Sequence, residues 1–594
     1  MIPDSLDHLL GKDAPPALAA AMIPLVLGDG QIVFRAGEAA DSLYFIDRGI
    51  IRIESDGAEI DSDPVLARLG EGEILGEMAM LDGGTRSATA VVEGGAELRR
   101  LDRAALTALE SDHVELALGL WKALGSAAAR RLRQTNARVV SSAAREKDPV
   151  VEAMVVDARA AQLVLADASE DAVNALLESL AAVFAREAES LAELAVQATG
   201  MGNVPDKTEK NLFASQAVMA DMAGQAGAGL LGPSGRGLTA LAAPAGVVFG
   251  LIPVTNPAAT AIFKSLICLK SRNALILSFA RRATPVADRI AGMLGEILEA
   301  GGWPKTLVQV VARENSRRRT QAFFQHPGVD LILATGGPSM VRAAHSSGRP
   351  AIGVGAGNAP CVILADAEPG PTAAMIVLSK AFDNGLICGA EHHLVAESAI
   401  VPALSEALER AGAAVLDDEE GERFRKTILN ADQSSLRLRY PGKAATALAA
   451  AAGIKRGHPI KLLVIPARAG EESASHAFGR ETMAPVLSLF QVPDEDSAMA
   501  LARRLLDNDG TGHTAAIHTR SESAIARFAE LMPASRILVN SPATQGVIGL
   551  TTGLPPSLTL GCGFYGGNIT NENVTFRHVR NTKLIARGLV EFSS

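Results

Sequence analysis

Between Gln31 and about Leu101 the apolar residues fall in short runs, QIVFRAGE, DSLYFIDRG, GIIRIES, ARLGEGEILGE and SATAVVE, each closed by Gly, Asp or Glu. This punctuation predicts short strands wound into a small β-roll. Beyond Asp102 the chain becomes rich in Ala, Leu and Arg. LWKALGSAAARRLRQTNARVV places apolar residues at helical spacing with basic residues on the other side, which predicts a long helix leaving the roll. From about Glu146 onward, helix-like stretches alternate with the apolar runs GVVFGLIPV, NALILSF, LVQVVA, LILATGG and PCVILAD. That alternation predicts a parallel α/β sheet. The fold class is therefore α/β, preceded by a β-roll.

At 594 residues the chain exceeds what one hydrophobic core supports. With 48% hydrophobic and 21% charged residues it has the make-up of a globular protein rather than of a disordered one. A net charge of -10 argues against nucleic acid and against an anionic membrane surface, and directs attention to small-molecule partners. The N-terminal residues MIPDSLDHLLGKDAPP show no basic start and no apolar core, so a cytoplasmic location is expected.

The 27 residues from Gly237 to Phe263 carry no charge, but Pro244, Pro253 and Pro257 break the run and argue against a spanning helix. The four cysteines, Cys268, Cys361, Cys388 and Cys562, form no C-x-x-C pair, and there is no H-E-x-x-H. His392 and His393 are adjacent and would point apart. No catalytic metal is expected.

In the first part the densest motif runs from Gly76 to Ala90, GEMAMLDGGTRSATA. A turn of small residues there lets backbone N–H groups approach an anion. Arg86 offers a planar fork suited to phosphate, and Glu77 an acceptor for a sugar hydroxyl. In isolation Glu77 and Arg86 would read as a surface ion pair. The whole segment, however, resembles the phosphate-binding cassette of the cyclic-nucleotide-binding family, and Phe34 to Gly49 resembles that family's first hairpin. The resemblance covers about residues 20 to 140. It implies that Gly76, Glu77, Arg86 and Ser87 hold the ribose and cyclic phosphate, and that the following helix contacts the base through Thr135 or Asn136. Ser87 and Thr135 resemble adenine-contacting positions, which favours cAMP over cGMP. No helix-turn-helix pattern follows, so control of the remaining chain is the expected output.

In the second part Cys388 lies in FDNGLICGAE, a Gly-containing turn read as leading into a helix start, where a thiolate would be favoured by the helix dipole. A lone cysteine is by default a buried structural thiol. Yet the run from about Ala160 to Leu589 resembles the aldehyde dehydrogenase superfamily, and within it the CoA-acylating branch. The motifs are TGMGNVPDKTEKN, PVTNPAATAIFK at Pro253 to Lys264, LATGGPSM at Leu333 to Met340, GVGAGNAP at Gly353 to Pro360, Phe382 to Glu391, and PSLTLGCG from Pro556. The resemblance implies that Cys388 is the nucleophile and that the Asn256 amide with the Cys388 N–H forms the oxyanion hole. It also implies that NAD or NADP is held at Thr255, Ser278, Glu481 and at the helix beginning at Gly336 and Gly337, whose N–H groups would face the pyrophosphate. GVGAG is not read as a dinucleotide fingerprint, because its third Gly comes early and a strand follows.

Where hydrolytic relatives carry a general-base Glu, this sequence has Val354, so CoA rather than water is the expected acyl acceptor. His513, in TGHT, also matches the acylating branch and is assigned to proton transfer with CoA, with a packed structural His as the alternative. Arg281 and Arg282 follow the second strand without an acidic residue, which leans toward tolerance of NADP. No iron-dependent alcohol dehydrogenase segment is seen, so the aldehyde/acyl-CoA half-reaction is expected. The implied organisation is a β-roll over 1–125, a connecting helix over 126–150, a cofactor lobe over 151–360 with an oligomerisation hairpin near 236–244, and a catalytic lobe over 361–594. At least a homodimer is expected. The rival readings are a hydrolytic aldehyde dehydrogenase and a cyclic-nucleotide sensor on a non-catalytic scaffold.

Overall fold

The computed structural model describes residues 15–39, 41–54, 65–77, 80, 84–122, 124–125, 148–313 and 315–589. Two compact units divide the chain, 1–146 and 147–594. Of the connecting helix expected over 126–150, residues 126–147, with Thr135 and Asn136, lie outside the described residues, and Pro149 already belongs to the helix Pro149–Ala166.

In the first unit six strands pair antiparallel, in the order Ile23–Leu27, Thr89–Asp102, Ser42–Glu54, Val65–Leu69, with Ile32–Phe34 added to Thr89–Asp102 and Ile74–Leu75 to Ser42–Glu54. DSLYFIDRG and GIIRIES, read from the sequence as separate strands, are one 13-residue strand. The reason lies at Gly49, whose φ of 102° places it against the backbone of Gly95 and Ala96, where a side chain would collide. The pairing shifts register on either side of it, so the strand coils through a bulge instead of ending. Leu43, Phe45, Ile74 and Leu101 pack with Leu106, Leu109 and Leu120 from the following helical residues.

The second unit holds three sheets. Five parallel strands run in the order Val308–Val311, Ala274–Phe279, Val247–Ile252, Leu331–Thr335, Ala351–Val354. Seven more form a second parallel sheet, in the order Ala413–Val415, Leu462–Pro466, Val486–Val492, Glu391–Glu397, Ala359–Ile363, Gly512–His518, Ala534–Val539. The chain crosses from one to the other over residues 355–358. As the apolar runs predict, the central strands are buried on both faces, and Val247–Ile252 and Ala274–Phe279 are buried at every position. A third, antiparallel sheet joins Gly229–Gly235, Leu238–Pro244 and Arg580–Ala586, and leaves Leu230, Leu584 and Ile585 exposed.

The charge-free stretch from Gly237 resolves into the strands Leu238–Pro244 and Val247–Ile252 and the start of the helix Pro257–Lys270. Among the described residues no helix is long and apolar enough to cross a membrane. All 14 residues of Pro257–Lys270 are buried, because the helix lies between the first sheet and the helix Glu170–Arg186. Its two lysines are accordingly paired. Lys270 reaches Glu170 at 2.7 Å, and the fully buried Lys264 donates to the carbonyls of Leu251 at 2.6 Å and Leu333 at 2.8 Å. Those carbonyls belong to two neighbouring strands, so one ammonium ties the strands together from the buried helix.

Replacing Lys264 by Met takes the ammonium donor from both buried carbonyls and should lower stability by about 2–6 kcal/mol, each lost partner costing about 1–3 kcal/mol. Denaturant unfolding of the full chain measures this, and a change under about 0.5 kcal/mol would remove the bridging role.

Candidate functional site

Cys388 follows the helix Pro369–Ala381 and the turn Phe382–Gly385. No helix starts after it: the chain turns at once into the strand Glu391–Glu397, so the helix-dipole stabilisation expected from the sequence is absent. Burial instead pushes the Cys388 thiol up to about 12, with the Glu481 carboxylate adding to the effect and the Arg536 guanidinium opposing it. Three successive residues before it, Asp383, Asn384 and Gly385, are left-handed, with φ of 46°, 56° and 73°. Only the last is a glycine, so the turn is strained and needs to be held.

What holds it is a buried ion cluster. The fully buried Asp383 carboxylate accepts from Lys207 at 2.9 Å and from Lys210, and takes the backbone N–H of Asn203 at 3.1 Å. Asp383 N–H in turn donates to Asp206 at 2.7 Å, and the Asn384 amide donates to Gly442 O at 2.9 Å. Asn203, Asp206, Lys207 and Lys210 all belong to the helix Val204–Leu212 or its cap, where Asn203 accepts from Asp206 N–H. Spacings of three and four residues put both lysines on one face. Burial and the neighbouring Lys210 bring Lys207 down to about 8, against the pull of Asp383.

The same cluster fixes Asn256. Lys210 donates to Asn256 Oδ1, and Lys207 to the Thr255 carbonyl at 2.7 Å. A lysine ammonium only donates, so its contact assigns the oxygen of the Asn256 amide and leaves Nδ2 as the donor end. One Nδ2 hydrogen faces Thr255 Oγ1 at 3.3 Å. Asn256 thus stands one ammonium away from the anchor of the Cys388 turn.

On the other side of Cys388 lies Gly357. A methyl on Gly357 would collide with the Cys388 carbonyl and lie 3.0 Å from His513 Cε1. Its N–H bonds the Glu481 carboxylate, which burial raises to about 7. His513 is fully buried; its Nδ1 meets Thr514 Oγ1 at 2.9 Å, its Nε2 has no partner, and desolvation brings it down to about 3. Val354 is buried in the apolar cluster against which Cys388 packs. Gly337 caps the helix Pro338–His345 with no side-chain bond, and nothing fills the space beside Gly336. Ser278 is buried in the strand Ala274–Phe279, its hydroxyl accepting from Asn315 at 2.8 Å. The structure thus groups Cys388, Glu481 and His513 around Gly357, and links Asn256 and Thr255 to the Cys388 turn. Ser278 stands apart, engaged by Asn315. Among the described residues no group of three His, Cys, Asp or Glu could hold a metal ion.

Lys207, Lys210, Asp383, Lys380 and Arg536 have no role in the sequence reading, and His392 enters it only as the neighbour of His393. The signal for three of them lay in TGMGNVPDKTEKN and FDNG, which were read as landmarks without a role for each charge. Arg536 donates to the Gly561 carbonyl at 2.6 Å from a strand where nothing in the sequence marks it.

In the first unit, Arg86 and Glu77 are both buried. Arg86 lies over the Phe34 ring at 4.3 Å and donates to Ser42 O at 2.5 Å, Ser42 Oγ at 3.2 Å and Gly76 O at 3.1 Å. Gly76 has φ of 85°, and a side chain there would strike the guanidinium. Arg86 Nε is buried with no partner, which fits a site for an anionic acceptor. Ser87 beside it is exposed.

Residues 126–557 match the family described as Aldehyde dehydrogenase family, and residues 24–113 match the Cyclic nucleotide-binding domain. The chain is 37% identical over 443 residues to the bifunctional aldehyde-alcohol dehydrogenase AdhE of Escherichia coli (strain K12), covering 74% of this chain and 49% of that protein. It spans about half the length of the first curated relatives it matches. It is 31% identical to the succinate-semialdehyde dehydrogenase (acetylating) of Clostridium kluyveri, over 73% of this chain and 95% of that protein. Among solved structures, an acetylating aldehyde dehydrogenase from Geobacillus thermoglucosidasius superposes with a TM-score of 0.71 at 38% identity, covering 75% of this chain and 98% of that one.

Asn256→Ala removes the amide that Lys210 orients, and should lower kcat by about 10²- to 10³-fold, the usual cost of one oxyanion donor. Cys388→Ala should abolish turnover while cofactor binding persists. Steady-state rates with a panel of aldehydes, paired with cofactor titrations, check both; a change below about threefold for Asn256→Ala would remove it from the role.

Proposed function

We propose that this chain, which belongs to the aldehyde dehydrogenase family, converts an aldehyde and CoA to acyl-CoA through a thioester on Cys388, with NAD or NADP as acceptor and under control of a cyclic nucleotide. The observation that carries the acylating reading is Val354, an apolar side chain buried in the cluster against which Cys388 packs, where hydrolytic relatives are expected to have a water-activating Glu. A CoA thiol is itself partly ionised near neutral pH and needs far less help than water to attack a thioester. The names of the acetylating relatives support the same reading.

In this reading the Cys388 sulfur attacks the aldehyde carbon, and the developing oxyanion is met by Asn256 Nδ2 and the Cys388 N–H. The positive charge of Lys210 on Asn256 Oδ1 polarises the amide and strengthens its donors. NAD(P)+ supplies a hydride acceptor. Thr255, Gly336, Gly337 and Glu481 would hold it, and the uncapped start of Pro338–His345 suits a pyrophosphate. Ser278 would need to exchange its bond to Asn315 to join them. Arg281 and Arg282 are exposed just past the strand Ala274–Phe279, which favours acceptance of a 2'-phosphate. His513 stays neutral at working pH, with Nε2 available to a thiol of CoA.

For the first unit, Arg86 would hold the cyclic phosphate and Glu77 the ribose, with Ser87 favouring cAMP. A charged phosphate would replace neutral carbonyls as the partner of Arg86, a stronger acceptor in a buried setting. The exposed Leu230, Leu584 and Ile585 on the third sheet suit an interface between copies of the chain.

Without CoA the enzyme should show at most a single turnover of cofactor reduction, and with CoA sustained turnover. Steady release of free acid at a comparable rate without CoA would sink the acylating assignment. Calorimetry should show cAMP binding that Arg86→Ala weakens by at least about 10-fold, as loss of a bidentate charged contact requires. Saturating cAMP should shift substrate affinity or rate by about 5- to 150-fold. Binding without any kinetic change would separate the first unit from control of the second.

A further inference from the structure

Cys388 lacks a helix N-terminus, and its burial leaves almost no free thiolate at neutral pH. A nucleophile so placed needs a proton acceptor beside it as it attacks. Glu481 is a carboxylate whose charge acts on Cys388 and which is joined to the Cys388 backbone through Gly357, whose N–H it binds and where any side chain would strike Cys388 O.

Behind Glu481 stand two buried groups the mechanism above does not use. His392 comes from the strand Glu391–Glu397 and Lys380 from the last turn of the helix Pro369–Ala381. Lys380 Nζ lies 2.9 Å from His392 Nδ1, and the Thr482 N–H donates to the same nitrogen at 3.4 Å. A backbone N–H can only donate, so Nδ1 is the acceptor and the ring proton is on Nε2. Nε2 is buried, has no hydrogen-bond partner, and lies 3.7 Å from Glu481 Oε1, just beyond hydrogen-bond length. Separations of this kind commonly close once substrate is bound. His393, on the opposite face of the same strand, is engaged by Ser488 and Asn358, so only His392 faces Glu481.

We infer that Glu481 takes the proton of Cys388, and that Lys380 and His392 are positioning residues which hold Glu481 as a ready carboxylate. This rests on the reading of Cys388 as nucleophile. The S–H proton passes to a Glu481 oxygen while the sulfur electron pair forms the bond to the aldehyde carbon. The same proton returns to sulfur when the acyl group leaves. While protonated, Glu481 cannot activate water, which protects the thioester until CoA arrives.

The charges around the row fix the direction of its pH response. Glu481 is faced by Lys380, which favours the carboxylate, and by Asp509, which opposes it. His392 is faced by Lys380, His393 and His513, all of which keep it neutral. Burial raises Glu481 to about 7, so acceptance of the thiol proton is available above that pH and lost below it. Removing either positioning residue takes away a stabiliser of the carboxylate and moves the threshold upward.

The test is alkylation of Cys388 by iodoacetamide in the full chain without aldehyde or CoA, followed by mass spectrometry across the neutral pH range. Its readout does not involve acyl transfer, so it fails separately from the CoA assignment. Wild type should show an inflection near 7. Glu481→Gln should lose that inflection, and its rate at neutral pH should fall by at least about 10-fold. His392→Leu and Lys380→Met should move the inflection up by about 1 pH unit. His392→Gln, which keeps a donor in place, should restore it. An unchanged profile in Glu481→Gln, or a His392→Gln profile displaced as far as that of His392→Leu, would overturn the inference.

Discussion

The carboxylate of Asp383 is the point on which the dehydrogenase site depends. It is fully buried, and alone it would be too costly to ionise there. Two ammonium groups from one helix face meet it, and one of them also reaches Asn256. The same carboxylate clamps the left-handed turn that delivers Cys388. One buried charge thus sets the position of Cys388 and, through Lys210, the orientation of Asn256. A loop of such conformation persists only when its surroundings overdetermine it, and here they do so with charged bonds rather than with glycines alone.

Burial shapes the chemistry on the other side of the sulfur. Desolvation raises Cys388 and Glu481 and depresses His513, Lys380 and His392, so burial penalises the charged form of each, while the attraction between Lys380 and Glu481 works against that penalty.

The first unit uses a related device. Arg86 is buried, stacked on Phe34 and bonded to main-chain carbonyls, with Gly76 sterically required beside it. A guanidinium whose partners are neutral carbonyls has interaction energy still to gain from an anion. The cation of this segment is already in place at Arg86.

Much of this was written in the chain. The period of the apolar runs determined both parallel sheets, since strands buried on two faces need continuous apolar residues. The motifs around Cys388, Asn256, Arg86 and Val354 named the chemistry through resemblance, because reacting groups admit few substitutes. What the sequence could not determine was who faces whom across hundreds of positions. Lys210 meets Asn256 and Asp383 over separations of 46 and 173 residues, and a charge in DKTEKN looks like any solvated helix face until the turn at Asp383 is laid upon it. The setting of Cys388 was misjudged for the same reason: a Gly-containing turn leads as readily into a strand as into a helix, and the parallel pairing of Glu391–Glu397 with Ala359–Ile363 and Val486–Val492 decided it. Local spacing determines periodicity and reactive groups. Burial, charge pairing and the proton affinity of each group come from neighbours that only the tertiary fold supplies.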